Sequence, residues 1–314
     1  MTDATFAAIG ECMIELSDVG DGLWRQGFAG DTFNAAFYAR AILRRGDRVA
    51  YLTALGDDIF SDRMRRFFAA SGILSDRIRT IPGKRPGLYG ITLNEGERSF
   101  TYWRGESAAR HLADEPAWLV AALQSSRLLY ISGITLAILS PERRKALLDA
   151  LATARRAGAS VVFDPNQRPA LWPDPDAARQ ATEAAARISD IALPTFGDEV
   201  ALFGDADPDA VAARYAGYGV PEIVVKDGPK PCLVWAHGML DWVASPESGN
   251  VVDTTGAGDS FGGAYVAARL MDLPPLDAAR IGHAVATKVI GVKGALVPID
   301  RTEIFASAGL VLPA

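Results

Sequence analysis

The sequence predicts an α/β protein with a mostly parallel central sheet, helices on both of its faces, and a small β lid. Three observations carry that prediction. Strand-like and helix-like segments alternate along most of the 314 residues, as they do where helices cross over a parallel sheet. One stretch, from about Arg77 to Arg104, is rich in β-formers and lacks a helical pattern. Hydrophobic residues make up 49% and charged residues 22% of the chain, enough apolar material for one large core or two unequal ones.

The elements follow in order. Phe6–Leu16 alternates loosely around Gly10 and reads as a strand that turns and continues. Asp31 or Thr32 can cap a helix carrying Phe33, Ala36, Phe37 and Ala41 at helical spacing, with Gly46 as its C-terminal stop. Val49–Leu55 reads as a strand and Asp58–Ser71 as a helix. Gly87–Leu93 and Ser99–Trp103 form a hairpin turning at Asn94-Glu95-Gly96. Then come a strand at Leu128–Ser132, a helix at Pro141–Ala157, a strand at Ser160–Asp164 and a helix at Ala177–Ile188. A short strand at Ile191–Leu193, a helix at Pro208–Tyr215, a strand at Glu222–Lys226 and a hairpin around Gly238 follow. Helices at Ala257–Leu270 and Leu276–Val292 close the pattern. The breaks at Pro82–Gly87 and Pro169–Pro175 are too short for interdomain linkers, so the chain, residues 1–314, reads as one main domain with an inserted lid.

The net charge is 32 − 38 = −6, and arginine supplies 26 of the 32 cations. An acidic chain without a basic run is not built to displace the counterions of a nucleic acid. An anionic ligand remains compatible if cations gather at one place. Cys12 and Cys232 stand far apart, outside any metal-ligand spacing, and two lone cysteines suit a reducing compartment. No run reaches the roughly 18 apolar residues of a membrane span, and the first residues lack the pattern of a secretory signal. The chain reads as cytoplasmic.

The strongest chemical signal is Asp253-Thr254-Thr255-Gly256-Ala257-Gly258-Asp259. Two glycines bracket one small residue directly before a helix, so backbone N–H groups can approach an anion closely. The helix N-terminus adds unpaired donors and a positive dipole end. Asp259 falls in the first turn, where a carboxylate can accept a proton from a hydroxyl. Glycine spacing alone also suits a helix start that binds nothing. The segment is not a P-loop, because no Gly-Lys-Ser/Thr follows, and Ala8-Ile9-Gly10-Glu11-Cys12 supplies no dinucleotide fingerprint. A nicotinamide dehydrogenase is thereby disfavoured.

This string resembles the C-terminal signature of the PfkB, or ribokinase-like, carbohydrate kinases. Gly30-Asp31 with Asn34 matches their N-terminal signature, with Ala29-Gly30 where a Gly-Gly pair is usual. Phe28–Asn34, Phe100–Arg104, Ile131–Ile134 and Phe163-Asp164 leading to Arg168-Pro169 are similar to 2-dehydro-3-deoxygluconate kinases of the Entner–Doudoroff route. The resemblance spans about Ala8 to Pro298 and implies a ribokinase-like fold. It implies a lid from segments around 12–30 and 77–104, and phosphorylation of the acid sugar by ATP with Mg²⁺. It also implies pairing of lids in a homo-oligomer.

Residue by residue, the resemblance makes Asp259 the general base and the amides of Gly256, Ala257 and Gly258 an anion hole. Asp253 and Thr255 match positions that hold a monovalent cation such as K⁺, although Asp253 can also simply cap the turn. Lys226 and Gly228, in Val225-Lys226-Asp227-Gly228, fall beside the ATP phosphates, as does Asn166. Thr195 and Asp198, with Glu199, stand where the family has Asn-x-x-Glu near nucleotide and Mg²⁺. His283 falls where relatives often carry Asn near the adenine. Gly30, Asp31 and Asn34 are implied to bind sugar hydroxyls, with Tyr89 and Tyr102 adding contacts. Arg104 and Arg168, the latter also near ATP, offer the planar donor fork that suits a carboxylate. A kinase of neutral sugars or nucleosides is the nearest alternative. A non-catalytic binder is disfavoured, because it would not need Asp259.

Overall fold

The computed structural model describes residues 1, 3–94, 97–246 and 249–313. Its strands are β1 (Ala4–Ile9), β2 (Met13–Gly20), β3 (Leu23–Ala29), β4 (Val49–Leu55), β5 (Ile73–Leu74), β6 (Ile78–Thr80) and β7 (Leu88–Asn94). They continue as β8 (Glu97–Trp103), β9 (Ser126–Ser132), β10 (Ser160–Asp164), β11 (Ile191–Ala192), β12 (Glu222–Val225), β13 (Cys232–Ala236) and β14 (Met239–Val243). The central sheet runs β14-β13-β12-β11-β10-β9-β1-β4-β5, with β6 beside β4. It is parallel from β12 to β5, and β13 and β14 extend it as a hairpin, β13 antiparallel to β12 and β14 antiparallel to β13. A second sheet, β3-β2-β7-β8, forms the lid.

Burial on both faces follows from the strand period of two. Phe6, Ala8, Tyr51, Tyr130 and Val162 enter one core with the helices Asp31–Ile42 and Ala257–Leu270. Ala7, Ile9, Leu52, Leu129 and Phe163 enter the other, against the helices Pro116–Gln124 and Pro141–Arg156. All seven residues of β4 are buried, as expected for a parallel strand covered on both sides.

Several expectations need correction. Phe6–Leu16 does turn at Gly10, but its two halves lie in different sheets: β1 belongs to the central sheet and β2 to the lid, with Gly10-Glu11-Cys12 as the crossing. Gly30, not Asp31 or Thr32, is the N-cap of the first helix. A Cβ there would lie 2.2 Å from the Glu11 carbonyl, so the close chain crossing demands glycine and Asp31 moves into the first turn. That helix ends at Ile42 rather than near Gly46. The Arg40 guanidinium reaches the carbonyls of Leu43, Arg44 and Asp47 and satisfies the backbone there. The helices Pro116–Gln124, Gly133–Ile138, Phe196–Phe203 and Arg301–Ser307 carry too few residues, or too uniform an apolar pattern, to show a helical period. Of the expected hairpin turn, Glu95 and Gly96 lie outside the described residues. Cys12 and Cys232 are both buried free thiols. Among the described residues no helix is long and apolar enough to cross a membrane.

The topology also places a cleft. After β4 the chain returns to the other side of β1 to form β9. The C-terminal ends of β1, β9, β10 and β12 therefore open onto one edge, the usual ligand position in an open parallel sheet.

Candidate active site

The cleft at that edge encloses about 850 Å³. On one wall the Ala257–Leu270 helix starts from Gly256, whose φ of 76° is left-handed. A Cβ at Gly256 would lie 3.1 Å from the Ala295 carbonyl, so both conformation and space select glycine. The Ala257 amide donates to the Thr254 carbonyl at 3.2 Å within the turn. The Gly258 and Asp259 amides are first-turn donors with no earlier helical carbonyl to reach, whereas the Ser260 amide donates to the Gly256 carbonyl at 2.8 Å.

Asp259 sits in this first turn and accepts a 2.8 Å hydrogen bond from Asn34 Nδ2. The Gly30 N–H donates to Asn34 Oδ1 at 3.3 Å, which orients the amide. Burial, then the nearby Asp31 charge, push the Asp259 carboxyl up to about 7, against the lowering influence of Asn34 and Lys226. The Asp31 carboxyl is also raised, chiefly by burial. It accepts from Asn166 Nδ2 at 3.2 Å. Lys226 Nζ pairs with Asp164 at 2.7 Å and lies 3.7 Å from where a Gly258 Cβ would be. The ammonium thus rests against the glycine turn.

The opposite wall comes from the lid. Tyr102 is stacked on Phe100, with ring centroids 6.3 Å apart. The Tyr89 hydroxyl donates to Glu15, so its ring rather than its oxygen remains for the cleft. Arg104, just past β8, pairs with Glu11 at 2.5 Å. Glu11 is 2% exposed. Arg168 reaches the cleft from beyond β10 and donates to the Gln167 carbonyl at 2.7 Å.

Nearly all the expected site residues therefore meet in one place, including Thr195, Asp198, Gly228, Thr255 and His283. Two do not line it. Glu199 is fully buried and pairs with Arg214 at 2.7 Å and the Tyr215 hydroxyl at 3.2 Å. One step along the Phe196–Phe203 helix rotates a side chain by about 100°, which turns Glu199 away and leaves Asp198 on the cleft. Asp253 lies behind the turn and accepts from the amides of Thr255 (3.0 Å) and Gly294 (2.6 Å). Among the described residues there is no cluster of three or more His, Cys, Asp or Glu side chains able to hold a metal. The His283 imidazole stacks edge-on to Phe261 at 5.1 Å. Burial lowers it to about 4, so it is neutral at pH 7. Sequence reasoning missed Glu11, Asp227 and Ile134 on the cleft. Glu11 carried one signal, an acidic residue two positions after a mostly apolar strand.

Comparison with known proteins bears on this geometry. The model of the pfkB family carbohydrate kinases matches residues 3–302. The 2-dehydro-3-deoxygluconokinase of Dickeya dadantii is 41% identical over 308 residues, covering 96% of this chain and 99% of its own. That of Haemophilus influenzae is 36% identical, covering 95% and 96%. Among solved structures, a fructokinase from Xylella fastidiosa with bound ATP superposes with a TM-score of 0.83 at 21% identity, covering 97% of this chain and 98% of its own. A 2-dehydro-3-deoxygluconokinase from Thermotoga maritima gives 0.84 at 21%, covering 98% and 99%. These two establish the shared ribokinase-like fold.

Proposed function

The chain belongs to the pfkB family of carbohydrate kinases, and from that premise we propose that it transfers the γ-phosphoryl group of ATP to the 6-hydroxyl of 2-dehydro-3-deoxygluconate. The observation that carries the reading is the position of Asp259: a desolvated carboxylate at a glycine-flanked helix N-terminus, in the cleft that Arg104 and Arg168 also line.

The steps follow from these residues. Arg104 and Arg168 bind the sugar carboxylate, while Asp31 and Asn34 take its hydroxyls. Asp259 accepts the proton of the attacking hydroxyl, for which a pKa near neutrality is well matched. The first-turn amides and Lys226 stabilise the charge that spreads over the transferred oxygens. Asp198, desolvated and opposite Lys226 and Arg168, suits the Mg²⁺ that accompanies ATP; when bound, that ion neutralises phosphate charge. Asp253 and Thr255 shape the turn, and a monovalent cation held there by the surrounding carbonyls would stiffen it. Exposed Trp24, Phe100 and Trp103 on the lid support pairing with a second copy.

One observation favours a second reading, a kinase of neutral sugars: Arg104 already has Glu11 as a buried counter-ion. Initial rates with 2-dehydro-3-deoxygluconate, fructose, ribose and adenosine separate the two. A preference for a neutral substrate would sink the first.

A further inference from the structure

Asp164 ends β10, is 2% exposed, and is not used in the mechanism above. Three groups converge on its carboxylate. Oδ2 takes the Lys226 ammonium at 2.7 Å and the Tyr130 hydroxyl at 3.2 Å. Oδ1 accepts the Asn166 N–H at 3.2 Å. Asn166 itself has a left-handed φ of 35° and passes a side-chain hydrogen bond to Asp31. A single buried carboxylate thus ties the ammonium at the glycine turn to the loop that braces Asp31.

We propose that Asp164 is a positioning residue for the phosphate side of the cleft, holding Lys226 Nζ at the anion-binding turn before nucleotide arrives. A free lysine carries four flexible torsions, and ordering them on binding weakens affinity. Asp164 and the burial of Lys226 remove that freedom in advance. The alternative is that Asp164 serves only to neutralise a buried lysine and does nothing for ligand. This inference rests on the kinase reading only for the identity of the anion.

The test is Asp164→Asn, which keeps the shape and an oxygen for the Asn166 amide while removing the charge. Calorimetry with Mg·ATP alone is expected to show Kd raised about tenfold, or about 1.4 kcal/mol, as the lysine torsions are ordered on binding. KM for ATP rises with it, while KM for the sugar changes less than about twofold. Unchanged ATP affinity in the folded variant overturns the proposal. Lys226→Gln and the double variant complete the cycle. If Asp164 acts through Lys226, adding Asp164→Asn to Lys226→Gln leaves ATP Kd where it was; a further loss overturns the assignment. This second comparison also stands if Asp164→Asn alone does not fold for want of a partner to Lys226. A wild-type protein that binds ATP yet phosphorylates no acid sugar would sink the proposed function and leave these comparisons intact.

Discussion

Asp259→Asn separates catalysis from folding in a way the site geometry makes quantitative. The substitution keeps the size of the side chain and an oxygen for Asn34 Nδ2, which now donates at 2.8 Å. It removes the proton acceptor, worth about 10²–10⁴-fold in rate. With the carboxyl near 7, about a tenth is ionised at pH 6 and about nine tenths at pH 8. The wild-type kcat should therefore climb about tenfold across that window, whereas the residual rate of the variant should be flat. Stability runs the other way. The native carboxyl is raised above the unfolded value of 3.8, so the native state binds its proton more tightly and loses stability as pH rises from about 4 to 7. Three units correspond to at most about 4 kcal/mol, less where water in the open cleft solvates the group. The Asn variant escapes this cost and should melt higher than wild type at pH 8, with the gap closing by pH 4. ADP-coupled initial rates and melting curves at both ends of the range read the two effects. A variant kcat within threefold of wild type at pH 8 would refute the base assignment, and a pH-independent melting difference would refute the raised pKa.

Three further outcomes are expected. Arg104→Ala should raise KM for 2-dehydro-3-deoxygluconate by about 10–100-fold, the worth of a charged hydrogen bond, while fructose kinetics stay within twofold; parallel losses would remove Arg104 from the carboxylate. Glu199→Ala should lower Tm without altering KM for ATP, because Glu199 bonds Arg214 and Tyr215 behind the site; Arg214 keeps Asp205 as a partner, so the loss is that of buried hydrogen bonds, about 1–3 kcal/mol; a selective KM effect would return it to the metal. Gly256→Ala should cut kcat with little change in KM for the sugar, since a left-handed φ costs a side chain about 1–2 kcal/mol and its Cβ presses on Ala295; wild-type turnover would show that the turn tolerates it.

Legibility tracked sequence distance. The Ala257–Leu270 helix has the bounds its sequence pattern predicts, and Asp58 caps its helix through the amides of Phe60 and Ser61 as a local signal should. The break at Gly10 is legible, but the change of sheet across Gly10-Glu11-Cys12 is not, because loose alternation continues through it. Asp198 and Glu199 are adjacent acids of similar chemistry. Only the packing of the Phe196–Phe203 helix against Arg214 and Tyr215 sends one inward.

By itself, the sequence determined the alternating α/β architecture and the glycine turn with Asp259, since strand period, helix caps and a left-handed glycine are each written in neighbouring residues. The tertiary structure decided the contacts that tune the site. Asn34 and Asp259 stand 225 residues apart, and Lys226 and Asp164 are separated by 62. Glu11 meets Arg104 across the junction of lid and sheet. Such pairs depend on the order in which parallel strands lie side by side, and on how far each side chain is withdrawn from water, neither of which a local pattern encodes.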